Sequence, residues 1–484
     1  MDDSNPKQQP SATGFISRFR GGGWAKTTLE QQEVSLRAIP FGFAVLILVG
    51  TLLLSLPFTH RPGHDVQLVD AFFLATSATC VTGLVTVNVA EDFNLFGQVV
   101  LLALIQLGGL GIMTAGTFFV LITGNRLSLA HEKSIAGLVG RLRSARPIDI
   151  FIYACVFVFV AELAGFVALF TLMQNAFPDQ SIGQSLWQSA FHSVSAFCNA
   201  GISIYPDGLL RWKDHPGMLG VVDLLVVAGG IGLLTLVNLR FYYWWRRDRR
   251  RRGQLSLQTK LSVTMTLLLL AVGMVFTLVM EWNHTLATAK SWTERLSWSL
   301  FHSTMTRTAG FNVTDTGQMQ PATLLGSMLL MFIGGAPGSM AGGIKTVTAT
   351  ILILSAWTAL RRRDEFTVFN RRVPPDQTAA AIMIVLLMAI CVAVSITLLM
   401  ISENGAPSSQ THHGWLGVAF EAVSGFCTVG LSTGVTPLLT WQGKLIMIAV
   451  MFVGRVCPLM LAMHLCRPVA SWRLRHPEES VSLG

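Results

Sequence analysis

Residues 72–84 read FFLATSATCVTGL, and the same pattern of small, polar and apolar residues recurs three times along the chain. The later copies read AFHSVSAFCNAGI at 190–202, LFHSTMTRTAGF at 300–311 and AFEAVSGFCTVGL at 419–431. Intervals of 118, 109 and 120 residues separate the shared glycines, Gly83, Gly201, Gly310 and Gly430. Spacing this regular indicates an internal repeat. The chain is therefore predicted to contain four structural repeats.

The composition is that of an integral membrane protein. Of the 484 residues, 51% are hydrophobic and only 13% are charged, and the mean hydropathy is +0.54. Soluble domains carry about 25% charged residues. Apolar runs such as 41–56, 99–121, 261–280 and 379–401 approach or reach the ~20 residues that a spanning helix needs. The polar, basic segment 1–37 lacks the features of a cleavable signal peptide, so the first apolar run is expected to remain as a membrane helix.

The basic residues predict the membrane topology. Twenty-six of the 35 Lys and Arg lie in five stretches, 1–37, 125–147, 240–260, 361–373 and 467–484. By the positive-inside rule these stretches are cytoplasmic, so the net charge of +9 does not indicate nucleic-acid binding. The run Arg246–Arg252 is interpreted as an anchor for anionic lipids.

Four apolar blocks lie between the basic stretches, at 38–124, 148–239, 261–360 and 374–466. Each begins and ends in the cytoplasm and has room for two spans, so all four share one orientation. Each also contains a shorter segment, at 71–83, 185–201, 296–310 and 416–430. These segments are too short to span a bilayer, which favours a re-entrant structure. The predicted fold is an all-α integral membrane protein with four parallel helix, pore-loop and helix repeats. Eight spanning helices and four re-entrant pore helices then surround one pseudo-fourfold pore.

Such an arrangement suits a cation pathway. Non-helical backbone at membrane depth is tolerated only where protein buries it or where it lines a water-filled cavity. A short helix that ends near the membrane middle points its negative dipole end at the central axis. The extended residues that follow, Thr79 to Gly83 in the first copy, can turn carbonyl oxygens inward, and rings of carbonyls replace a cation's hydration shell. The alternative is that these glycines only allow close packing of membrane helices.

Several motifs resemble the Trk/Ktr/HKT superfamily of potassium transporters, and within it the Ktr-type membrane subunit. They are TSATCVTGL (76–84), LIQLGGLGIMT (104–114), FCNAGIS (197–203), TRTAGFN (306–312), GGAPGSMAGGIKT (334–346), FCTVGLSTG (426–434) and VGRVCP (453–458). The resemblance covers residues 36 to about 466. The polar N-terminus favours the Ktr branch, because the Trk branch carries an extra helix pair there. Glycine at the filter position of all four repeats implies selectivity for potassium.

The resemblance implies a potassium-binding filter at matched positions of the four repeats. Its residues are Thr79, Cys80, Val81, Thr82 and Gly83 in repeat 1; Cys198, Asn199, Ala200 and Gly201 in repeat 2; Arg307, Thr308, Ala309 and Gly310 in repeat 3; and Cys427, Thr428, Val429 and Gly430 in repeat 4. A second signal follows each filter glycine after 24 to 28 residues, namely Gly108-Gly109, Gly229-Gly230, Gly334-Gly335 and Gly454-Arg455.

An intramembrane loop is predicted within the second long helix of block three. Glycine costs ~1 kcal/mol and proline ~3 kcal/mol inside a helix, so the stretch 334–346 should interrupt the helix. By resemblance it is the gate below the filter, and its residues are Gly335, Ala336, Pro337, Gly338, Ser339, Met340, Ala341, Gly342, Gly343 and Lys345. A static kink packed against a neighbour is the alternative. Lys345 is expected to meet either lipid headgroups or the pore mouth.

Arg455 is the other predicted gate residue. It lies about 14 residues into a helix that begins near Trp441, which corresponds to a depth of about 20 Å. A charge at that depth marks a functional site by default. Arg455 is therefore predicted to face the pore beneath the filter, to repel resident cations and to pair with the gate loop, as the equivalent arginine of the family does. A structural salt bridge to Glu162 or Glu421 is the alternative.

The resemblance also implies the setting in which the protein works. A homodimer would sit in the bacterial plasma membrane with both termini cytoplasmic and bind a cytoplasmic ring of nucleotide-binding regulatory subunits. Contact with that ring is the alternative role for the basic loops, Arg246–Arg252 included. Uptake is coupled to sodium in several Ktr-type complexes. A carrier that alternates access is the rival reading, although many carriers use inverted repeats and these repeats are parallel. No enzyme chemistry is expected, because GLSTG at 430–434 lacks the context of a nucleophile elbow and His412-His413 lacks a third metal ligand.

Overall fold

The computed structural model describes residues 39–123, 147–247, 255–362 and 367–465. Most of the basic stretches that predict the topology lie outside these residues. Each repeat contains a long first helix, a short helix and a second helix. The helices of repeats 1 and 2 are Ile39–Leu54, Leu68–Thr79 and Leu95–Thr123, then Pro147–Ala176, Ile182–Phe197 and Pro216–Ile231 with Leu233–Arg247. Those of repeats 3 and 4 are Leu257–Met280, Trp292–Met305 and Pro321–Phe332 with Thr346–Leu360, then Pro375–Ser402, Trp415–Phe426 and Trp441–Leu465.

Smaller elements join these helices. A turn of helix at Val89–Asp92 follows the first short helix. Strands Thr367–Val368 and Arg371–Arg372 pair antiparallel between repeats 3 and 4. Single 3₁₀ turns lie in the remaining connections at Pro57–Thr59, Leu210–Trp212, Thr285–Thr288, Thr316–Gln318, Pro407–Gln410 and Thr436–Leu438.

The described residues contain several helices that can span a membrane. Five are long and apolar enough to cross a membrane, and a sixth span is formed if Pro216–Ile231 and Leu233–Arg240, which meet at an angle of 100°, are counted together. Two further second-helix pieces, Pro321–Phe332 and Thr346–Leu360, are the halves of one interrupted helix, and Ile39–Leu54 starts at the edge of the described residues. These elements occupy the positions of the eight predicted spans.

The short helices form the inner layer. In the fourth, every residue from Gly417 to Phe426 is buried, whereas only Ala381, Met388, Ser395 and Leu399 are buried in the first helix of the same repeat. Each short helix packs on the second helix of the preceding repeat, and the first short helix packs on the second helix of repeat 4. The four repeats therefore close into a ring, and the apolar first helices face outward toward lipid.

Two buried glutamates fix the ends of helices in repeats 3 and 4. Glu281 follows the first helix of repeat 3 and accepts hydrogen bonds from the backbone N of Gln320, at 2.9 Å, and from the Thr323 hydroxyl. Glu403 takes the same position in repeat 4, where Oε1 accepts a bond from Thr440 Oγ1 at 2.6 Å. Burial alone would raise the pKa of Glu281, but hydrogen bonds from Thr323, Gln320 and Thr285 outweigh it and lower that pKa.

Candidate functional site: a ring of four glycines

The four repeat glycines meet at one point inside the helix ring. An ideal Cβ placed on Gly83 would lie 2.5 Å from the carbonyl oxygen of Ala200, the residue before Gly201. The same relation holds from Gly201 to Ala309, from Gly310 to Val429 and from Gly430 back to Thr82, always at less than 3.0 Å. The contacts therefore run around the repeats in sequence order and close on themselves. Glycine is required because any side chain would displace the neighbouring carbonyl.

The backbone at the ring is strained in a matched way. All four glycines have positive φ, between 64° and 101°. The residue two positions earlier also has positive φ, at 55° for Val81, 60° for Asn199, 89° for Thr308 and 49° for Thr428. Positive φ is a real outlier for a β-branched residue, and such residues persist only where the surrounding structure imposes them, at a cost of order 1–3 kcal/mol each. Strain that recurs at matched positions marks a functional site.

The short helices supply the hydrogen bonds that hold this backbone. The residue six positions before each glycine carries a hydroxyl, as Ser77, Ser195, Thr304 and Ser424. In repeats 1, 2 and 4 its carbonyl oxygen accepts a bond of 2.8 Å from the backbone N–H of the residue before the glycine. In repeats 1 and 4 its hydroxyl also accepts the glycine N–H at 3.1 Å. Repeat 3 differs, because Ala309 donates to Met305 at 3.2 Å.

These bonds occupy amide groups and leave carbonyl groups free. Thr82, Ala200, Ala309 and Val429 are completely buried. Within the described residues their carbonyl oxygens accept no hydrogen bond. Buried backbone carbonyls are normally paired, so four unpaired ones on neighbouring segments leave room for a positively charged partner.

In repeat 3, the side chain at one predicted filter position points away from the ring. Arg307 takes the position that Cys80, Cys198 and Cys427 hold in the other repeats. Its guanidinium donates to the carbonyl oxygens of Thr266 at 3.0 Å and Gly334 at 2.8 Å. Arg307 can therefore contribute only its backbone to the ring, while its side chain holds the start of the 334–346 loop.

The extended segment in repeat 1 is shorter than predicted. Thr79 is the last residue of the short helix, and Cys80 caps that helix in right-handed helical conformation with φ −76° and ψ −5°. The helix continues this far because the N–H of Cys80 still bonds to the carbonyl of Thr76, at 2.8 Å. The non-helical backbone begins at Val81, and the same holds after Cys198 and Cys427.

The second glycine signal brings the second helices against the short helices. A Cβ on Gly108, Gly229 or Gly454 would overlap the carbonyl oxygen of the last residue of a short helix, Thr79, Phe197 or Phe426 respectively. In repeat 3 the matching residue, Gly334, instead meets the carbonyl of Gly342. In repeat 3 this glycine therefore contacts the repeat's own loop, whereas in the other repeats it contacts the end of a short helix.

The second helix of repeat 3 is interrupted between Phe332 and Thr346. The loop closes on itself through bonds from Gly334 N to Ile344 O, at 2.9 Å, and from Ile344 N to Phe332 O, at 3.0 Å. A Cβ on Gly342 would touch the carbonyl oxygen of Cys427, at 2.5 Å, and the Thr428 hydroxyl. The far part of the loop therefore lies directly against the ring segment of repeat 4.

Repeat 2 bends to make room for this loop. Its second helix breaks at Gly232, which has φ +85°. Across the break, Ala336 N donates to Gly230 O at 2.8 Å and Met340 N donates to Gly229 O at 3.2 Å. A Cβ on Gly232 would lie 2.7 Å from the Pro337 carbonyl. The sequence analysis missed this bend, and the clustered glycines at 229, 230 and 232 were the only signal for it.

Arg455 lies next to the ring segment of repeat 4 and is only 4% exposed. Its Nη1 donates to the Thr428 hydroxyl at 3.4 Å, and its Nε and Nη2 find no partner among the described residues. Neither alternative salt bridge forms within the described chain, because Glu162 accepts a bond from Gln106 and Glu421 accepts bonds from Ser432, Thr433 and Thr436. Lys345 donates to the carbonyl of Ala341, in its own loop, at 2.6 Å.

Fold and site together define a class of protein: a multi-pass helical membrane protein in which four parallel repeats bring matched glycine segments into contact inside a ring of helices. A family model for the TrkH cation transport proteins matches residues 14–470. The chain therefore belongs to the TrkH family of cation transport proteins, which confirms the resemblance found in its motifs.

Individual relatives are similar to this protein over nearly the whole chain. The potassium/sodium uptake protein NtpJ of Enterococcus hirae is 35% identical over 462 residues, which cover 95% of this chain and 99% of the relative. The Ktr system potassium uptake protein B of Bacillus subtilis is 34% identical over 455 residues, 93% of this chain and 96% of the relative. The crystal structure of the potassium transporter TrkH from Vibrio parahaemolyticus shares the fold, with a TM-score of 0.62 at 18% identity and coverage of 90% and 86%.

Proposed function

We propose that this protein takes up potassium across the bacterial plasma membrane through a filter formed by the four-glycine ring. The observation that carries the proposal is the set of four buried carbonyl oxygens, on Thr82, Ala200, Ala309 and Val429, that accept no hydrogen bond within the described residues. Carbonyl oxygens in a ring replace the hydration shell of a monovalent cation. The names of the two relatives above, both uptake proteins for potassium, support the choice of ion.

The gate in this proposal is the loop at 334–346. The position of this loop supports the proposal, because Gly342 lies against Cys427 and Thr428 directly beside the ring. Small residues and positive φ at Gly338 and Gly343 suit a segment that moves aside. Arg455 is the second part of the gate, since a buried cation next to Thr428 repels potassium that leaves the filter.

The remaining setting of the protein is proposed from its relatives. One of them, from Bacillus subtilis, is a component of a Ktr system by name, which supports a cytoplasmic ring of nucleotide-binding regulatory subunits and a homodimer of this chain. Both termini are then cytoplasmic and anionic lipid binds the basic loops. Sodium-dependent uptake belongs to the same proposal, because one relative is named for both ions.

The test is cation flux into proteoliposomes that contain the purified protein. Initial rates are measured for potassium, rubidium and sodium under equal gradients, with protein-free liposomes as the control. The proposal expects potassium and rubidium to enter at least tenfold faster than sodium, and faster still when a regulatory ring is added. Equal rates for all three ions in the presence of that ring would contradict a carbonyl filter.

An alternating-access carrier would give a different result in the same assay. Its turnover saturates at low potassium concentration and is too slow to collapse a voltage within milliseconds. Planar-bilayer currents from the same preparation separate the two mechanisms, because the filter proposal expects discrete conductance steps.

A further inference from the structure

A cavity of about 130 Å³ lies between the proposed gate loop and the second helix of repeat 4. Its walls come from loop residues at Pro337–Ser339 and Ala341–Lys345, from Thr348, from Gly454, Arg455 and Pro458 of repeat 4, and from the apolar side chains of Ile112, Ile384, Met388 and Leu459. A cavity needs about 10–15 Å³ of volume measured in this way to hold one water molecule, so this one has room for several waters or for a small ion with waters around it.

Two cationic side chains line this cavity, and no carboxylate balances them within the described residues. Arg455 makes a single long hydrogen bond and has two guanidinium nitrogens without partners. The ammonium group of Lys345 bonds to a backbone carbonyl rather than to an acid. The nearby acids, Glu162 and Glu421, are engaged by other residues. Two buried positive charges without an acidic partner are costly, and an anion between them lowers that cost.

A helix terminus adds to the positive field at the same place. Helix Thr346–Leu360 begins directly after Lys345 and has no side-chain cap. The N–H of Thr346 already donates to Gly335 O at 3.0 Å, so the helix contributes the positive end of its 15-residue dipole, with Thr348 in the cavity wall. Helix N-termini attract anions through this dipole. Lys345 with its helix start comes from repeat 3 and Arg455 from repeat 4, and both favour a negative charge.

We propose that the cavity binds a small monovalent anion of the halide class, taken from solution. The inference rests on the gate proposed above, because the anion would lie between Lys345 on the loop and Arg455 on repeat 4. In that position it attracts both and holds the loop beneath the ring. Release of the anion leaves two like charges facing each other, which drives the loop away.

The binding test is thermal stability of the full-length protein in detergent, with potassium and ionic strength held constant. Potassium gluconate is replaced stepwise by potassium bromide. A ligand that binds only the folded state raises Tm in a saturable manner, and we expect a rise of about 2–4 °C. Arg455→Gln and Lys345→Gln should abolish the rise, whereas the matched variant Arg211→Gln, whose guanidinium stacks on Phe177 at 4.6 Å, should keep it.

Each outcome decides the proposal. If bromide does not raise the Tm of the wild type beyond its effect on Arg455→Gln, the anion site is refuted whether or not potassium flux is observed. If Arg455→Gln does not fold, the anomalous signal of bromide in crystals of the wild type replaces it, and a peak away from Lys345 and Arg455 refutes the site. A peak there, together with potassium flux several-fold slower in bromide than in gluconate, supports it. Binding without any effect on flux would instead refute the gating role of the loop.

Discussion

Replacing Gly310 by serine is the sharpest test of the carbonyl ring. An ideal Cβ on Gly310 lies 2.5 Å from the Val429 carbonyl oxygen and 2.8 Å from Gly430 Cα, whereas real Cβ atoms stay at least 3.0 Å away. Both neighbours are backbone atoms, so no side-chain rotation can relieve the overlap. The Val429 carbonyl must therefore move by about 0.5 Å, which is the tolerance within which a functional site has to be held. Left-handed φ, +64° here, costs a non-glycine residue a further 1–2 kcal/mol or so.

The expected result is a loss of selectivity rather than a loss of protein. One displaced carbonyl in a ring of four should lower the potassium-to-sodium flux ratio at least tenfold, which corresponds to about 1.4 kcal/mol of discrimination. The ratio is measured from initial rates in proteoliposomes. Gly220→Ser is the matched control, because a Cβ there meets nothing within 4 Å. A folded Gly310→Ser protein with the wild-type ratio would refute the assignment of the ring as the filter.

Three further predictions follow from the same contacts. Arg455→Ala removes the buried charge beside the ring and should raise potassium flux several-fold at low potassium; unchanged flux would exclude a gating role for the arginine. Arg307→Met leaves the carbonyls of Thr266 and Gly334 without donors and should cost roughly 1–3 kcal/mol for each, seen as a lower Tm. Glu281→Gln should lower Tm at pH 7. The pKa of Glu281 is lowered in the folded protein. Its stabilising contribution is therefore fully present above the unfolded pKa of about 4.3 and is lost as pH falls through the folded pKa. The difference in Tm between the wild type and Glu281→Gln should thus shrink below about pH 4.

The sequence predicts the repeat architecture well because each repeat shows the same local pattern. This pattern consists of a glycine at a regular interval, a hydroxyl residue six positions before it and a small residue at the second-helix contact. Such features can be read from the sequence of one repeat alone. The family match and the shared fold confirm the resulting fold class. The hydroxyl at the sixth position, which the sequence analysis overlooked, could have been found by aligning the four copies at Ser77, Ser195, Thr304 and Ser424.

Contacts between repeats were harder to predict. The bend at Gly232 exists because the loop of repeat 3 occupies the space beside it, through the contact with Pro337, and nothing within repeat 2 requires that. Arg307 was assigned to the filter from its position alone. Its side chain turns away from the ring because it donates hydrogen bonds to the carbonyl oxygens of Thr266, on the first helix, and Gly334, at the start of the loop.

The third repeat breaks the symmetry of the ring in a way that links the proposed filter to the proposed gate. Its arginine replaces a cysteine at the filter and ties Gly334 in place, so the near end of the loop is fixed to the filter segment of repeat 3. The far part of the loop meets the ring segment of repeat 4 at Gly342 and lines a cavity together with Arg455. Its middle is hydrogen-bonded to repeat 2, from Ala336 N to Gly230 O and from Met340 N to Gly229 O. In the proposed gate, opening therefore has to break these backbone bonds as well as change the charge balance between Lys345 and Arg455, while Arg307 keeps the filter backbone in register.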